Sequence, residues 1–493
     1  MLLWFRRCTI VRTLLSRFTF GLVIFSLALL LGVAPLRSQE EQPPSGDKPK
    51  PAGTSPNPIP IVDQGEQSGQ GNDANLVPDN TPLTGVLAPT LGSPEIRHSY
   101  WVPGVQWAGA FQSHSYNQTA NSSWLVNNYF IGNLSLLEVW RHSQLAINYS
   151  AGGFISSDST QGNGYYQNLV LSQTLQWNRW LVQNFNQFSY LPQSSLGFGG
   201  GTSLGIPGVG GSPGPVIPGI GGSYVPNQSI YASVGPRYSN ASTVQLTYTT
   251  SPRGSVTLSG TYGLLRFVQS GNVDNDTVYA TAGYNYTLTR ADSIGVFYRF
   301  GAYHYSGEPQ AYGDHSINVA YSRKLTGRLA LQITAGPDFI TSRISVNGSS
   351  LTHGVNSSAY LSYATHHGGL SVGYTHGVSG GSGVLTGSTG DQLNFAANRS
   401  LGRIWTGQIN VGYSHNSSLT NTTATPVPTY NTWNAGGGVS RALGRNATFA
   451  VAYNATLTDY GAAGCTGSGC SSNQNYQYVT VSFQWHTRPF ILP

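Results

Sequence analysis

Apolar and polar residues alternate with a period of two along most of the chain from residue 101 onward. In one example, Val244, Leu246 and Tyr248 alternate with Gln245 and Thr247. Alternation of this kind is typical of β-strands with one apolar and one polar face. After the N-terminal region, helical spacing of apolar residues is not sustained over three turns, so the pattern predicts an all-β fold. The alternation recurs at 256–264, 278–286, 405–413, 449–454 and 479–485.

The connections between these runs alternate in length, which predicts the architecture. Short turns facing the periplasm, long loops facing outside and strands of about ten residues are typical of a transmembrane β-barrel. With 101–113 as the first strand, we count about 18 strands (16–18) in a closed antiparallel barrel. The short turns lie near 141–144, 178–179, 251–254, 289–292, 323–328, 366–369, 400–403 and 442–445. The long loops lie near 114–123, 154–164, 191–239, 267–276, 305–315, 338–356, 379–391, 416–431 and 457–475.

Composition and charge position favour this barrel over soluble β-sandwiches or a propeller. Charged residues make up 9% of the chain, against about a quarter in soluble proteins. The apolar stripes are thin and end in aromatic residues, which suits lipid and its interfaces better than a packed core. Of the 16 Lys and Arg after Trp101, 12 lie at or beside short turns or the C-terminus. Eight of the ten acids lie in or beside the long loops, Asp314 and Asp338 among them.

The N-terminal hundred residues have a different composition. Residues 1–38 combine four early arginines with an apolar run, which predicts a secretory signal peptide, with an uncleaved inner-membrane anchor as the alternative. Removing them takes away five arginines and no acid, so the formal net charge falls from +6 to +1 and nucleic-acid binding is excluded. Residues 39–100, rich in Pro, Gly and Gln, predict a flexible periplasmic segment, with a plug or docking segment as the alternative.

Two cysteines remain once the signal peptide, which contains Cys8, is removed. Cys465 and Cys470 lie close together in a Gly/Ser-rich loop of an exported protein, which predicts a local disulfide. A metal site is the alternative, but no further cysteine or nearby histidine supports it.

The candidate chemistry is limited to the inside of the predicted barrel. The inward-facing positions are mostly Ser, Thr, Asn, Gln, Gly and Ala, which predicts a lumen with weak charge preference. Arg299 is the cation in mid-strand, between Phe297 and Tyr303, and we expect it at a pore constriction unless a wide lumen merely solvates it. The loop 191–239 either narrows the lumen or stays outside. The chain has no GxSxG or HExxH motif and its histidines are scattered, so an enzyme, a cofactor and a metal site are not expected.

Taken together, the signal peptide, the Pro-rich segment and the amphipathic strands resemble a porin-like outer-membrane β-barrel of Gram-negative bacteria over 101–493. The resemblance implies contact with outer-membrane lipid. It also implies recognition of the C-terminal strand by the barrel assembly machinery, through Phe483, Trp485 and Phe490. The chain departs from the usual pattern by adding three residues after Phe490. The implied function is a passive channel for small polar solutes, with a polysaccharide-export barrel or a structural or adhesive surface barrel as alternatives. The pattern indicates no oligomeric state.

Overall fold

In the computed structural model, the described residues form strands joined by turns. They comprise 99–113, 124–157, 163–191, 237–268, 273–289, 291–306, 310–326, 328–344, 348–365, 367–379, 387–402, 404–419, 429–444, 446–460 and 473–491. The strands are β1 (Tyr100–Ser113), β2 (Trp124–Val139), β3 (Ser143–Ser156), β4 (Gly164–Trp177), β5 (Trp180–Leu191), β6 (Arg237–Ser251), β7 (Gly254–Phe267), β8 (Asn275–Thr287), β9 (Asp292–Tyr305), β10 (Gln310–Lys324), β11 (Leu329–Ile344), β12 (Gly348–Thr365), β13 (Gly368–Ser379), β14 (Ser388–Ser400), β15 (Trp405–Ser418), β16 (Thr429–Ala442), β17 (Ala447–Tyr460), β18 (Asn473–His486) and β19 (Phe490–Ile491).

Strands β1 to β18 form one closed antiparallel barrel. Each strand pairs with its neighbours in sequence, and β1 closes the sheet against β18 from Gly104–His486 to Gln112–Tyr478. The two-residue strand β19 continues this seam beyond β18, and the rings of Trp101 and Phe490 lie 5.0 Å apart there. Closure pairs the strand edges with one another, as lipid requires. The predicted fold class and a count of about 18 strands are therefore confirmed.

The arrangement of side chains is the inverse of a soluble core. Outward-facing residues such as Val105, Phe130 and Ile317 are apolar and more than half exposed. Inward-facing residues such as Asn133 and Thr277 are polar and buried. An apolar outer surface on a closed barrel is the arrangement that a lipid bilayer demands. Among the described residues, no helix is long and apolar enough to cross a membrane.

Two adjacent rows of outward-facing residues mark the extracellular edge of this apolar surface. Tyr374 and Tyr413 of the apolar row donate hydrogen bonds to carboxylate and amide oxygens of the polar row, at Asp391 (2.7 Å) and Asn431 (3.1 Å). Aromatic residues with polar neighbours are typical of the interface between lipid and water. Across β13 to β17, the apolar row is Tyr374, Leu393, Tyr413, Trp433 and Leu457, and the polar row is His376, Asp391, His415, Asn431 and Asp459.

Strands β10, β11 and β12 extend further at their extracellular ends than the sequence pattern predicts. The predicted loops at 305–315 and 338–356 are wrong, because the strands continue and leave connections of only 306–309 and 345–347. Gly313 and Pro337, which are loop-like in sequence, lie inside strands.

The wall divides at the extracellular end of β12. The pairing of β12 with β13 ends at Ser357–His376, although β12 continues outward as far as Gly348. In the described part of the chain, the stretch from Gly348 to Asn356 pairs with β11 alone. The last residues of β13, from Gly377 to Ser379, pair with β14 alone. The extracellular tip of the β13–β14 pair is therefore free to take a course different from that of β12.

Candidate functional site on the inner wall

The strand register places the inward-facing Arg299 in a row of polar residues on the inner wall. Thr281 of β8, Arg299 of β9, Ser316 of β10 and Asp338 of β11 are directly opposite one another across the four strands. One step toward the extracellular side, the next row is Tyr279, Gly301, Asp314 and Ile340. All of these positions face inward because they alternate with outward-facing residues such as Tyr298.

Arg299 and two aspartates form a buried charged triad. The Nη2 atom of Arg299 lies 2.5 Å from Oδ2 of Asp314 and 4.0 Å from Oδ2 of Asp338. The three side chains are 7%, 0% and 1% exposed, respectively. The sequence interpretation that placed Asp314 and Asp338 beside loops is wrong, because both lie in strands. Sequence reasoning therefore missed the partners of Arg299.

Local backbone features place these three side chains together. The β10–β11 pairing skips two positions next to Asp338, where Pro337 lacks a backbone N–H. At Gly336, an added Cβ would overlap the carbonyl group of Ile317, so the two backbones approach more closely than a side chain permits. At Gly301, an added Cβ would lie 3.4 Å from Oδ2 of Asp314, which leaves room for that carboxylate beside Arg299.

A hydrogen-bonded tyrosine pair lies on the extracellular side of the triad. Tyr279 donates to the hydroxyl oxygen of Tyr303 at 3.0 Å, and Tyr303 donates to the carbonyl oxygen of Val378 at 3.3 Å. Tyr303 is on β9 and Val378 is on β13, four strands away. Four strand spacings amount to about 19 Å of wall, which is too far for one side chain to reach along the surface. The β13 tip must therefore lean into the lumen.

The burial of Val378 supports this inward lean. By alternation Val378 belongs to the outward-facing set that includes His376, yet it packs in a buried cluster with inward-facing residues. The other buried members of this cluster are Tyr279, Tyr303, Tyr305, Tyr312 and Ile340. The end of β13 therefore bends inward, and the side of this strand that faces outward at His376 packs against the inner wall at Val378. We call this contact, formed by Tyr279, Tyr303 and Val378, the tyrosine bridge; it lies on the extracellular side of the charged triad.

The rest of the described inner wall is mainly neutral and hydrogen-bonding. Hydroxyl pairs join neighbouring strands, for example Thr243 with Thr261 at 2.9 Å and Thr432 with Thr458 at 3.2 Å. Among the described residues, the buried charged side chains are two of each sign: Arg237, Arg299, Asp314 and Asp338. The inner wall can therefore bind water and polar solutes with little net charge.

The structure separates the other predicted site residues. Phe483 and Trp485 of β18 face outward, and Phe490 packs against Trp101 at the seam. The predicted disulfide between Cys465 and Cys470 lies outside the described residues. The same is true of nearly all of the segment 39–100 and of loop 191–239 from 192 to 236. Within the described residues, no group of three metal-ligating side chains occurs.

Comparisons with known proteins give similarity of structure only. No protein-family model and no curated protein sequence matches the chain. The structure resembles the outer-membrane protein OpdK of Pseudomonas aeruginosa (9% identity, TM-score 0.40, covering 78% of this chain and 99% of that one). It also resembles OccK2 (OpdF) of the same species (9%, 0.41, 78% and 98%). A third similar structure is a BenF-like porin of Pseudomonas fluorescens Pf-5 (10%, 0.39, 80% and 99%).

Solved structures of these neighbours include OccK2 in complex with glucuronate and OpdK with vanillate. Similarity at this level carries no argument about the solute of this chain. The assignment rests on the closed barrel of 18 strands, its apolar outward face and its polar inward face. These features make the protein a porin-like β-barrel of the outer membrane.

Proposed function

We propose that the protein is a passive channel for small polar solutes and that its charge preference is weak. The observation that carries the proposal is the lining: hydroxyl and amide side chains predominate in it, and the four buried ionisable side chains of the described residues are two basic and two acidic. Selective ion pores instead present rings of like charge to the solute. Hydroxyl and amide groups exchange hydrogen bonds with water or sugar hydroxyls at little net cost, so they favour passage of neutral solutes.

The tyrosine bridge supports a limit on solute size. An 18-strand barrel encloses a water-filled channel unless something fills it. We infer that the β13 tip, which accepts a hydrogen bond from Tyr303 at the carbonyl oxygen of Val378, narrows the lumen from the extracellular side. We therefore expect small solutes to pass and large ones to be excluded.

The experiment is conductance of the purified full-length protein in a planar bilayer, together with liposome swelling in sugars of increasing size. We expect single-channel steps and swelling rates that fall as the sugar grows. Absence of both steps and swelling would refute the channel. A polysaccharide-export barrel, which a neutral lining also suits, would instead show current that an oligosaccharide blocks at far lower concentrations than a monosaccharide does.

A further inference from the structure

Polar residues interrupt the apolar outward surface of the barrel on β5 and β6. We define the outer polar patch as Asn184 and Asn186 of β5 together with Asn240 and Ser242 of β6. These side chains are partly exposed, and they face outward because they alternate with buried residues of the inner wall. The buried neighbours are Gln183, Ser189, Ser239, Ala241 and Thr243. Because Asn186 is directly opposite Ser242, the patch is continuous across the two strands.

The outer polar patch lies at the depth of the hydrocarbon. Aromatic pairs flank it, with ring centroids 4.5 Å apart for Trp180 and Tyr248 on the periplasmic side and 4.6 Å apart for Tyr190 and Tyr238 on the extracellular side. Such aromatic residues mark the two interfaces of a membrane. The strand from Tyr238 to Tyr248 rises about 25 Å at a tilt of about 40°, which matches the apolar band of such barrels. Ser242 lies between these two tyrosines, so the patch is near the middle of the band.

Hydrogen bonds within the patch use only part of its capacity. Asn186 donates to the hydroxyl oxygen of Ser242 at 2.5 Å, and Ser242 donates to Oδ1 of Asn240 at 3.2 Å. A side-chain amide has two N–H hydrogens and an acceptor oxygen, so these two bonds leave most of the capacity of the two amides unused. The amide of Asn184 has no hydrogen bond to another side chain among the described residues. Hydrocarbon cannot supply the missing partners, so this arrangement is unfavourable against lipid.

The opposite wall shows what lipid contact requires of this barrel. Strand β14 is nine strands from β5 and therefore lies on the other side of the barrel. Its outward-facing residues at this depth are Leu393, Phe395 and Ala397. Polar side chains inside a membrane are instead typical of contacts between protein segments. The face of β5 and β6 therefore has the composition of a surface that contacts protein.

A second copy of the chain satisfies the patch by symmetry. Two copies inserted in one membrane have the same orientation, and a two-fold axis along the membrane normal keeps each residue at its own depth. The patch of one copy then meets the same patch of the other. Amide groups both donate and accept hydrogen bonds, so the patch is complementary to itself, and it contains no charged side chain that would repel its copy. The aromatic pairs at its two ends also meet at matching depths.

We propose that the protein forms a two-fold symmetric dimer in the outer membrane, in which β5 and β6 of the two protomers make contact through the outer polar patch. Hydrogen bonds between the amides of the two copies replace the partners that lipid cannot provide. The patch faces away from the lumen, so each protomer keeps its own channel and the dimer does not depend on the solute.

The first test is photo-cross-linking of the full-length protein in outer membranes, with benzoylphenylalanine in place of Asn184. We expect a covalent product of twice the protomer mass. The same group in place of Phe395, which faces outward on the opposite wall, is the control and should give no such product. The dimer is overturned if position 184 gives no product of that mass, or if both positions give it equally. Products with lipid alone or with a different protein would also overturn it.

The second test is the dissociation constant of the dimer in detergent, measured by analytical ultracentrifugation. The variant combines Asn184→Leu with Asn186→Leu; leucine suits lipid, so the yield of folded barrel should be kept. One hydrogen bond between membrane segments contributes about threefold to affinity, so loss of two should raise the dissociation constant about tenfold. Asn431→Leu, which replaces an outward amide at the extracellular edge of β16, should leave it unchanged. An unchanged constant in the double variant, or a native protein that is monomeric at every concentration, would refute the interface.

Discussion

The tyrosine bridge gives a prediction that joins stability to pore size. The hydroxyl of Tyr303 accepts from Tyr279 at 3.0 Å and donates to Val378 at 3.3 Å, within a buried cluster. Tyr303→Phe keeps the ring but leaves a buried hydroxyl and a buried carbonyl group without this partner. A buried polar group that loses its partner costs about 1–3 kcal/mol. We expect the free energy of unfolding to fall by about 2 kcal/mol in urea titrations of the folded barrel.

Tyr165→Phe is the control for this substitution. Its hydroxyl also makes a hydrogen bond, at 3.4 Å to the hydroxyl of Tyr238, but on the exposed outward face at the extracellular ends of β4 and β6, where water is present. Water can replace that bond, so we expect a change of less than about 0.5 kcal/mol. Equal losses in the two variants would refute the idea that the bridge is a buried contact.

The pore consequence is measured with Tyr303→Ala, which removes the ring as well. If the ring narrows the lumen, conductance should rise and larger sugars should enter liposomes that contain this variant. Unchanged conductance and an unchanged size limit would show that the solute path does not pass the bridge.

Three further predictions concern the barrel wall, one periplasmic turn and the loop that contains Cys465 and Cys470. Gly336→Ala should reduce the yield of folded, heat-modifiable barrel, because its Cβ would overlap a backbone carbonyl group. Gly260→Ala, where a Cβ meets nothing within 4 Å, should leave that yield unchanged. Equal yields of the two variants would contradict the close approach of the two backbones at Gly336. Hydrogen bonds from neighbouring side chains hold the pKa of Asp292, at the periplasmic turn, below its usual value. The contribution of Asp292 to the free energy of unfolding is thus present above about pH 4 and lost as the pH falls further. Asp292→Asn should therefore flatten the pH dependence of unfolding in acid. An unchanged pH dependence would count against a stabilising role of these hydrogen bonds. Cys465 and Cys470 should react with a maleimide only after reduction, as mass spectrometry of the exported protein would show, and labelling without reductant would exclude the disulfide.

The barrel was predictable because it depends on local patterns. Alternation assigned the inward and outward faces, and the position of the short turns assigned the hairpins. These signals are strong where lipid imposes an apolar outward face, as at Val319 and Ile333, which are exposed on β10 and β11. The inward orientation of Arg299 followed from the same alternation.

The site itself was only partly predictable. Asp314 and Asp338 lie in strand segments that contain Gly313 and Pro337, and near the extracellular end lipid no longer requires apolar residues on the outward face. The pattern there resembles a loop, although the backbone continues as a strand. The contact between Tyr303 and Val378 joins strands four apart, so no local sequence signal encodes it. The contact becomes evident only in the structure, where the extracellular end of β13 separates from β12.

That separation also indicates how deep the barrel sits in the membrane. Backbone N–H and C=O groups without hydrogen-bond partners cannot lie in hydrocarbon. The edge of β12 that faces β13 has no described partner strand beyond Ser357, so this edge must lie in water. The nine β12 residues that pair with β13, from Ser357 to Thr365, span about 30 Å along the strand. With a tilt of about 40° they rise about 23 Å, close to the 25 Å apolar band of such barrels. The last paired residue, His376, belongs to the polar outward row, so the backbone pairing and the side chains mark the same water line.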